Sequence, residues 1–599
     1  MSIFRDLWWF FKQEKRSYAW GVLILLVVAF LEIFPPYVVR VVVDGLEAGT
    51  LTGSELGMWL GLIALAGVAM YVLRYVWRIL LFGAAFRLGQ LLRRRLFSHF
   101  SKMSPSFFQR RRTGDLMAHA TNDIQAVQVT AGEGVLTLVD SLVLGGLVVA
   151  TMALFISWEL TLIALIPMPL IALAVSKFGT MLHQRFHRAQ AAFSDMNDKV
   201  QENISGMRVV KAFGQEENEK RSFQKLSRHV VEKNIAVARV DALFDPTISL
   251  VIGLSFFLAV AFGGWFVMEG TMTIGQLTQF TIYLGQLIWP MLAFGFLFNI
   301  MQRGRASYDR IHSLLQVESE IQDRPAALTA RASGEVAFAV DHFGYDGAKE
   351  PALRDIRISV QPGETLGIVG KTGSGKTTLF KLLLREFDCT AGEICIGGVP
   401  VREMTLDALR SAIGYVPQDH FLFSATIREN IAFGQADASD EEIEEAARLA
   451  GIHEDILQFE HGYDTVVGER GVTLSGGQKQ RISIARALLL TPEILILDDS
   501  LSAVDAKTEE AILAALRQTR QEKTTLIAAH RLSAIEHADQ IVVLEEGWIA
   551  ERGTHQELLL QDGWYAWTYR QQQLESMIQK GGGAVDGDTP VTPVSQPTS

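Results

Sequence analysis

The stretch Gly370-Lys371-Thr372-Gly373-Ser374-Gly375-Lys376-Thr377-Thr378 decides how this chain is read. An apolar strand pattern, Thr365–Val369, precedes it and a helical pattern, Thr378–Arg385, follows it. Glycines at this spacing let backbone N–H groups wrap a phosphate, and the helix start adds a favourable dipole. Lys376 is expected at the β- and γ-phosphates of ATP, and Thr377 on Mg²⁺. Further on, Ile494-Leu495-Ile496-Leu497-Asp498 reads as a buried strand ending in an acid. In a doubly wound sheet that end faces the ligand, so Asp498 is expected to hold Mg²⁺ through water. Between the two lies Leu474-Ser475-Gly476-Gly477-Gln478-Lys479-Gln480-Arg481. A Ser-Gly-Gly turn opening a helix makes a second anion site, on Ser475, Gly476, Gly477 and Gln478.

The half of the chain before this region has another character. Hydrophobic residues make up 49% of the 599, and the excess lies in long runs before about Ile300. These runs are Ala19–Val43, Gly57–Val72 with an extension, Gly134–Ile156, Leu160–Val175, Pro246–Val267 and Ile274–Ile300. A span needs roughly 20 helical residues. Four runs meet this easily; the second and fourth are shorter and merge into mixed sequence. The segments Asp44–Glu55, Ser157–Glu159 and Met268–Thr273 hold no Lys or Arg, whereas Arg93, Arg94, Arg95, Lys102, Arg110, Arg111 and Arg112 crowd one inner loop. That asymmetry places both termini and the long loops in the cytoplasm. The inner loops Arg87–Glu133 and Ser176–Asp245 carry a helical pattern, for example Val200, Ile204, Met207, Val210 and Phe213. Helical hairpins of that length reach roughly 40 Å past the bilayer. The net charge of -11 argues against a nucleic-acid partner. The two cysteines, Cys389 and Cys395, read as reduced and structural.

With these motifs in order, the chain resembles the ATP-binding cassette (ABC) transporters. Leu474–Gln478 matches that family's signature. By the same resemblance, Tyr345 looks like the aromatic stacked on adenine, and Gln418 like the lid-loop glutamine at Mg²⁺. Gly468-Glu469-Arg470-Gly471 resembles the short loop found in exporters, and Ser502-Ala503-Val504-Asp505 the loop that crosses to a partner subunit. His530 resembles the switch histidine at the γ-phosphate. Six spans ahead of one cassette imply an exporter-type half-transporter. Arg112–Leu116 and Arg208–Phe213 look like exporter intracellular loops, and Ile156–Glu159 and Phe244–Ile248 look like the bacterial MdlA-type multidrug group. The implied organisation is an α-helical membrane domain over 1–325, an α/β P-loop nucleotide-binding domain over 326–575, and a disordered tail over 576–599. Family cassettes work as a head-to-tail pair, so a lone chain has no complete ATP site.

One residue departs from the pattern. Asp498 is followed by Asp499, where most of the family has the Glu that acts as catalytic base. Asp is one methylene shorter, which leaves its carboxylate about 1 Å or more short of the attacking water, and misplacement on that scale costs about 100-fold. The expected unit is therefore a heterodimer whose partner supplies the Glu. A homodimer with Asp499 as a slower base is the alternative. The expected cargo is a hydrophobic or amphipathic compound, with lipid or glycolipid flipping as the second reading on the same architecture. Glu32 and Asp140 lie inside spans, either as sites for cationic cargo or in pairs with Arg40 or Arg78. Trp265, Trp289, Met291, Phe294, Phe296 and Phe298 could line an apolar cavity or simply face lipid.

Overall fold

A computed structural model of the chain describes residues 2–332, 334–468 and 473–579. It divides into two compact units, Met1–Lys102 with Arg111–Glu318, and Met103–Arg110 with Ser319–Ser599.

The first unit is helical. Among the described residues, five helices are long and apolar enough to cross a membrane: Lys15–Glu47, Gly53–Phe100, Thr113–Phe155, Glu216–Met268 and Ile274–Leu315. The fourth expected run is broken. Its helix Trp158–Leu165 stops before Pro167, and Met168–Ser205 begins after it. Proline has no N–H to give and crowds the preceding turn, so the ladder restarts there. The inner loops are helical, as their pattern predicts, but Gly206 separates Met168–Ser205 from Met207–Ala212. Ile204 and Met207 therefore sit on different helices.

Local chemistry fixes the turns on the side of the short loops. Thr52 with Glu55 and Thr273 with Gln276 form capping boxes where two spans begin. Asp44 accepts from the Gly275 N–H at 2.8 Å and from the Thr273 hydroxyl at 3.0 Å, tying the first hairpin to the start of the last span. The first span continues as one helix through Pro35 and Pro36. Pro36 cannot donate to the Glu32 carbonyl, and Gln286 Nε2 donates to it instead at 3.2 Å. The Tyr283 hydroxyl donates to the next carbonyl, that of Ile33, at 2.7 Å.

The third span carries π-helical turns at His119–Asp123, Thr130–Gly134 and Asp140–Leu144. Such turns release carbonyls and rotate the helix face. Thr130, Thr137 and Ser141 donate back to the carbonyls of Ala126, Glu133 and Thr137. Thr130 also donates to the Ile300 carbonyl at 3.1 Å, and Gly304 opposite has no room for a side chain: a Cβ would lie 1.9 Å from Thr130 Oγ1. Gly304→Ala is expected to destabilise the unit by about 1–3 kcal/mol. Thermal unfolding of the purified chain in lipid checks this, and an unchanged midpoint would mean the two helices do not pack this closely.

The second unit is α/β. Its strands are β1 (Val336–Phe343), β2 (Leu353–Val360), β3 (Thr365–Val369), β4 (Ala391–Ile396), β5 (Val399–Pro400), β6 (Ile413–Val416), β7 (Ile494–Asp498), β8 (Thr524–Ala528), β9 (Gln540–Glu545) and β10 (Trp548–Gly553). One sheet runs β2-β1-β4-β5 and the other β10-β9-β3-β8-β7-β6. In the second sheet β9, β3, β8, β7 and β6 are parallel. β7 and β8 are buried along their whole length, as strands covered on both faces should be.

A short piece of the segment between the second and third spans, Met103–Arg110, belongs to this unit. Its helix Pro105–Gln109 is followed by Arg110, which bonds Glu320 and pairs with Asp346, the residue after Tyr345. Ser106 Oγ donates to Glu320 at 2.7 Å. At the other end, the helix Trp564–Gln579 runs past residue 575, so 576–579 are helical, contrary to the expected disorder. The rest of that tail, from 580, lies outside the described residues.

Candidate ATP site

The phosphate loop leaves β3 and enters the helix Lys376–Leu383. Gly370, Gly373 and Gly375 have φ of 151°, 86° and 105°, and Gly370 also lies where a Cβ would meet the Leu544 carbonyl at 2.1 Å. Only glycine suits this path. Lys376 is buried, and its Nζ donates to the carbonyls of Gly370 at 2.8 Å and Lys371 at 3.1 Å. Burial pushes the Lys376 ammonium below its usual pKa, against the pull of Asp498 and Asp499. Ser374 Oγ is buried inside the loop with no hydrogen-bond partner. A loop with a buried ammonium, an orphan hydroxyl and a helix start suits a polyphosphate.

Asp498 ends β7 beside this loop. It accepts from Thr377 Oγ1 at 3.1 Å and from the Tyr415 hydroxyl at 3.4 Å. Burial raises its pKa, partly countered by the Thr377 and Tyr415 hydrogen bonds. A hydroxyl and a carboxylate in contact are the hard oxygen ligands that Mg²⁺ takes, and a cation there would favour the ionised acid. Asp499 follows with φ 48°, its N–H donating to the Ala528 carbonyl at 2.8 Å. Asp occupies this left-handed region more readily than most residues.

The remaining expected residues stand in varied settings. Tyr345 stands edge-on to Phe343 and Phe387 at 5.1 and 5.2 Å, with its hydroxyl 3.1 Å from Thr378 Oγ1. Gln418 is exposed on the loop after β6. His530 is exposed after β8, and its carbonyl accepts from Gln572 Nε2 at 2.8 Å. The Leu532 N–H donates to Gln572 Oε1 at 2.9 Å, so Gln572 on the helix Trp564–Gln579 holds the segment 530–532 at both ends. Nothing in the sequence near His530 pointed to Gln572. Lys371 and Thr372 are exposed at the loop's tip. Of the exporter-type loop, Gly468 is described, with φ 99°, while Glu469, Arg470 and Gly471 lie outside the described residues.

Ser475 caps the helix Gly476–Leu489 in a box with Gln478. Asp455, distant in sequence, accepts from Gln478 Nε2 at 3.2 Å and from Arg481 at 2.8 and 3.1 Å. Gln480 bonds Ser502 and the Ala503 N–H, and Gly477 leaves 2.8 Å between its missing Cβ and the Ala503 carbonyl. The signature turn and the loop Ser502–Asp505 are thus one packed piece. Burial works against the Asp455 charge, but the hydrogen bonds from Arg481 and Gln478 prevail and hold its pKa below the usual carboxylate range. A depressed carboxyl stabilises above its unfolded pKa and loses that effect as pH falls through the folded one. Asp455→Ala is therefore expected to lower the unfolding midpoint at pH 7, with the gap persisting to about pH 4 and narrowing below it. A gap that stays constant through that acid range would mean the Asp455 charge contributes nothing.

Membrane-length helices joined to a P-loop unit define an ATP-driven membrane transporter. Residues 19–291 match the family model for the ABC transporter transmembrane region, and 353–502 match that for ABC transporters. The chain is 48% identical over 578 residues to the multidrug resistance-like ATP-binding protein MdlA of Escherichia coli, covering 96% of this chain and 98% of the relative. It is 47% identical over 583 residues to the probable multidrug resistance ABC transporter ATP-binding/permease protein YheI of Bacillus subtilis, covering 97% and 100%. A solved bacterial Atm1-family ABC exporter with ATP bound superposes with a TM-score of 0.76 at 28% identity, over 93% of this chain and 98% of that one. The chain belongs to the ABC transporter family, as an ATP-hydrolysing, membrane-spanning exporter.

Proposed function

We propose that this chain is one half of a heterodimeric exporter of hydrophobic or amphipathic compounds in the cytoplasmic membrane, with both termini in the cytoplasm. Its residues Gly370–Thr378 hold ATP, Tyr345 stacks on the adenine, and Thr377, Asp498 and Gln418 serve Mg²⁺. His530 meets the γ-phosphate, and Ser475–Gln478 complete the partner's site. The phosphate loop tops β3, whereas the signature helix packs along β6, three strand spacings or about 14 Å away across the sheet. That separation favours a second chain to supply the signature. The observation that carries the asymmetry is Asp499: every other motif is intact, and the acid after Asp498 alone is shortened.

The multidrug names of the two relatives support an amphipathic cargo. A relative named ATP-dependent lipid A-core flippase, from Syntrophus aciditrophicus, is 35% identical over 591 residues and supports the lipid reading. Proteoliposomes with the cassettes outward decide between them. ATP-dependent uptake of a fluorescent amphiphile is the expected result; flipping of labelled lipid with no amphiphile uptake would favour the flippase.

A further inference from the structure

The α/β unit holds a cavity of about 290 Å³ that ATP chemistry does not use. That volume stands at the small end of ligand pockets. Thr365 lines it and begins β3, whereas the phosphate loop leaves the other end of that strand, about 16 Å away. One wall is a single face of the helix Ala506–Thr519 and its C-cap, because Leu513, Leu516, Arg517 and Arg520 recur at spacings of three and four. Ala534 and Ala538 line it from the segment after His530, with Ile527 of β8 between the two walls. Both walls lead back to the ATP site. The helix starts at its N-cap Asp505, the last residue of the loop Ser502–Asp505, and Ala534 ends the short turn that follows His530 and Arg531. A smaller space shares Ile527 and Ala534 with this cavity and is bounded by Asp499 and Arg531.

The lining joins apolar surface to uncompensated positive charge. Leu516, Ile527 and Ala538 are buried, and Arg517 is exposed with no carboxylate partner among the described residues. Arg520 is buried, and its guanidinium donates only to uncharged oxygens. These are the carbonyls of Pro492 and Thr524 at 3.0 Å, and the Glu493 carbonyl and Thr525 hydroxyl at 3.4 Å. The Glu493 carboxylate acts on it across space and is paired with Lys523 at 3.7 Å. Burial pushes the Arg520 guanidinium down to about 10, so its charge is poorly solvated. Asp539 is the one acid among the lining residues, and it already accepts from the Thr365 N–H at 2.8 Å. His537 stands 3.4 Å from the Glu536 carboxylate. An arriving anion offsets the burial of a guanidinium, and a carboxylate matches the planar fork of Arg517.

We propose that this cavity binds a small organic carboxylate and that its occupancy alters nucleotide binding at the phosphate loop. The charged end pairs with Arg517 in the field of Arg520, and the apolar body lies on Leu516, Ile527 and Ala538. The site is independent of the cargo and of the heterodimer proposed above. The test is a fluorine NMR titration of the full-length chain in neutral-lipid nanodiscs, with empty nanodiscs as reference. The probes are 4-(trifluoromethyl)benzoate and the neutral 4-(trifluoromethyl)benzamide. The benzoate is expected to bind more tightly than the amide by roughly tenfold or more. Arg517→Glu should remove that preference, and Arg517→Lys should keep most of it. Without benzoate, both variants should bind nucleotide as the wild type does, which shows that they are folded. Saturation with Mg²⁺ and a non-hydrolysable ATP analogue should change the benzoate affinity by about fivefold or more, and benzoate should change the nucleotide affinity by the same factor. No preference for benzoate, or a preference that survives Arg517→Glu, would overturn the site. A benzoate affinity that nucleotide leaves unchanged would overturn the coupling.

Discussion

Lys376→Ala is expected to abolish useful nucleotide binding by this chain. The ammonium is held inside the loop by the carbonyls of Gly370 and Lys371 before any phosphate arrives. Its position therefore costs little to organise when ATP binds, and burial makes a paired charge worth more than at the surface. A hydrogen bond to a charged group is worth about 1.5–3 kcal/mol, so losing the contacts to two phosphates should weaken ATP by about 3 kcal/mol, roughly 100-fold. Fluorescent-nucleotide titration of the full-length chain checks this. Affinity within a few-fold of wild type would mean that Lys376 does not face the phosphates.

Asp499→Glu is the second large effect, and it acts in the opposite direction. If reach alone limits this site, restoring the methylene should raise turnover by about 100-fold. The backbone there has φ 48°, a region Glu tolerates less well than Asp. The variant is accordingly expected to gain activity and lose about 1 kcal/mol of stability. Steady-state ATPase and thermal unfolding of the same preparation read both quantities. No gain in turnover would mean that the limitation lies elsewhere than in the length of this acid.

The phosphate loop, Asp498 and the signature turn were legible in the sequence because each is local. Glycine spacing, an apolar strand and a helix start lie within a few residues of one another. The spans were legible by length, except where Pro167 interrupts the fourth. Contacts that depend on the phase between distant helices were not legible. Glu32 pairs with Arg74 because of how two long helices are rotated, and hydropathy carries no record of that rotation. The π-helical turns of the third span are equally silent, since they change the helix phase without changing composition. Asp455 beneath the signature and Gln572 behind His530 come from separate elements. The segment Met103–Arg110 had no signal of its own: its helix is five residues long, and its ties to Glu320 and Asp346 are polar.

The central claim is that this chain holds ATP while its partner hydrolyses it. The direct measurement follows the nucleotide on each chain. The co-purified pair would be loaded with radiolabelled azido-ATP and Mg²⁺, allowed one turnover, cross-linked by light and separated by chain. The account predicts triphosphate on this chain and diphosphate on the partner. Diphosphate forming on both chains at the same rate would contradict it and make Asp499 a working base.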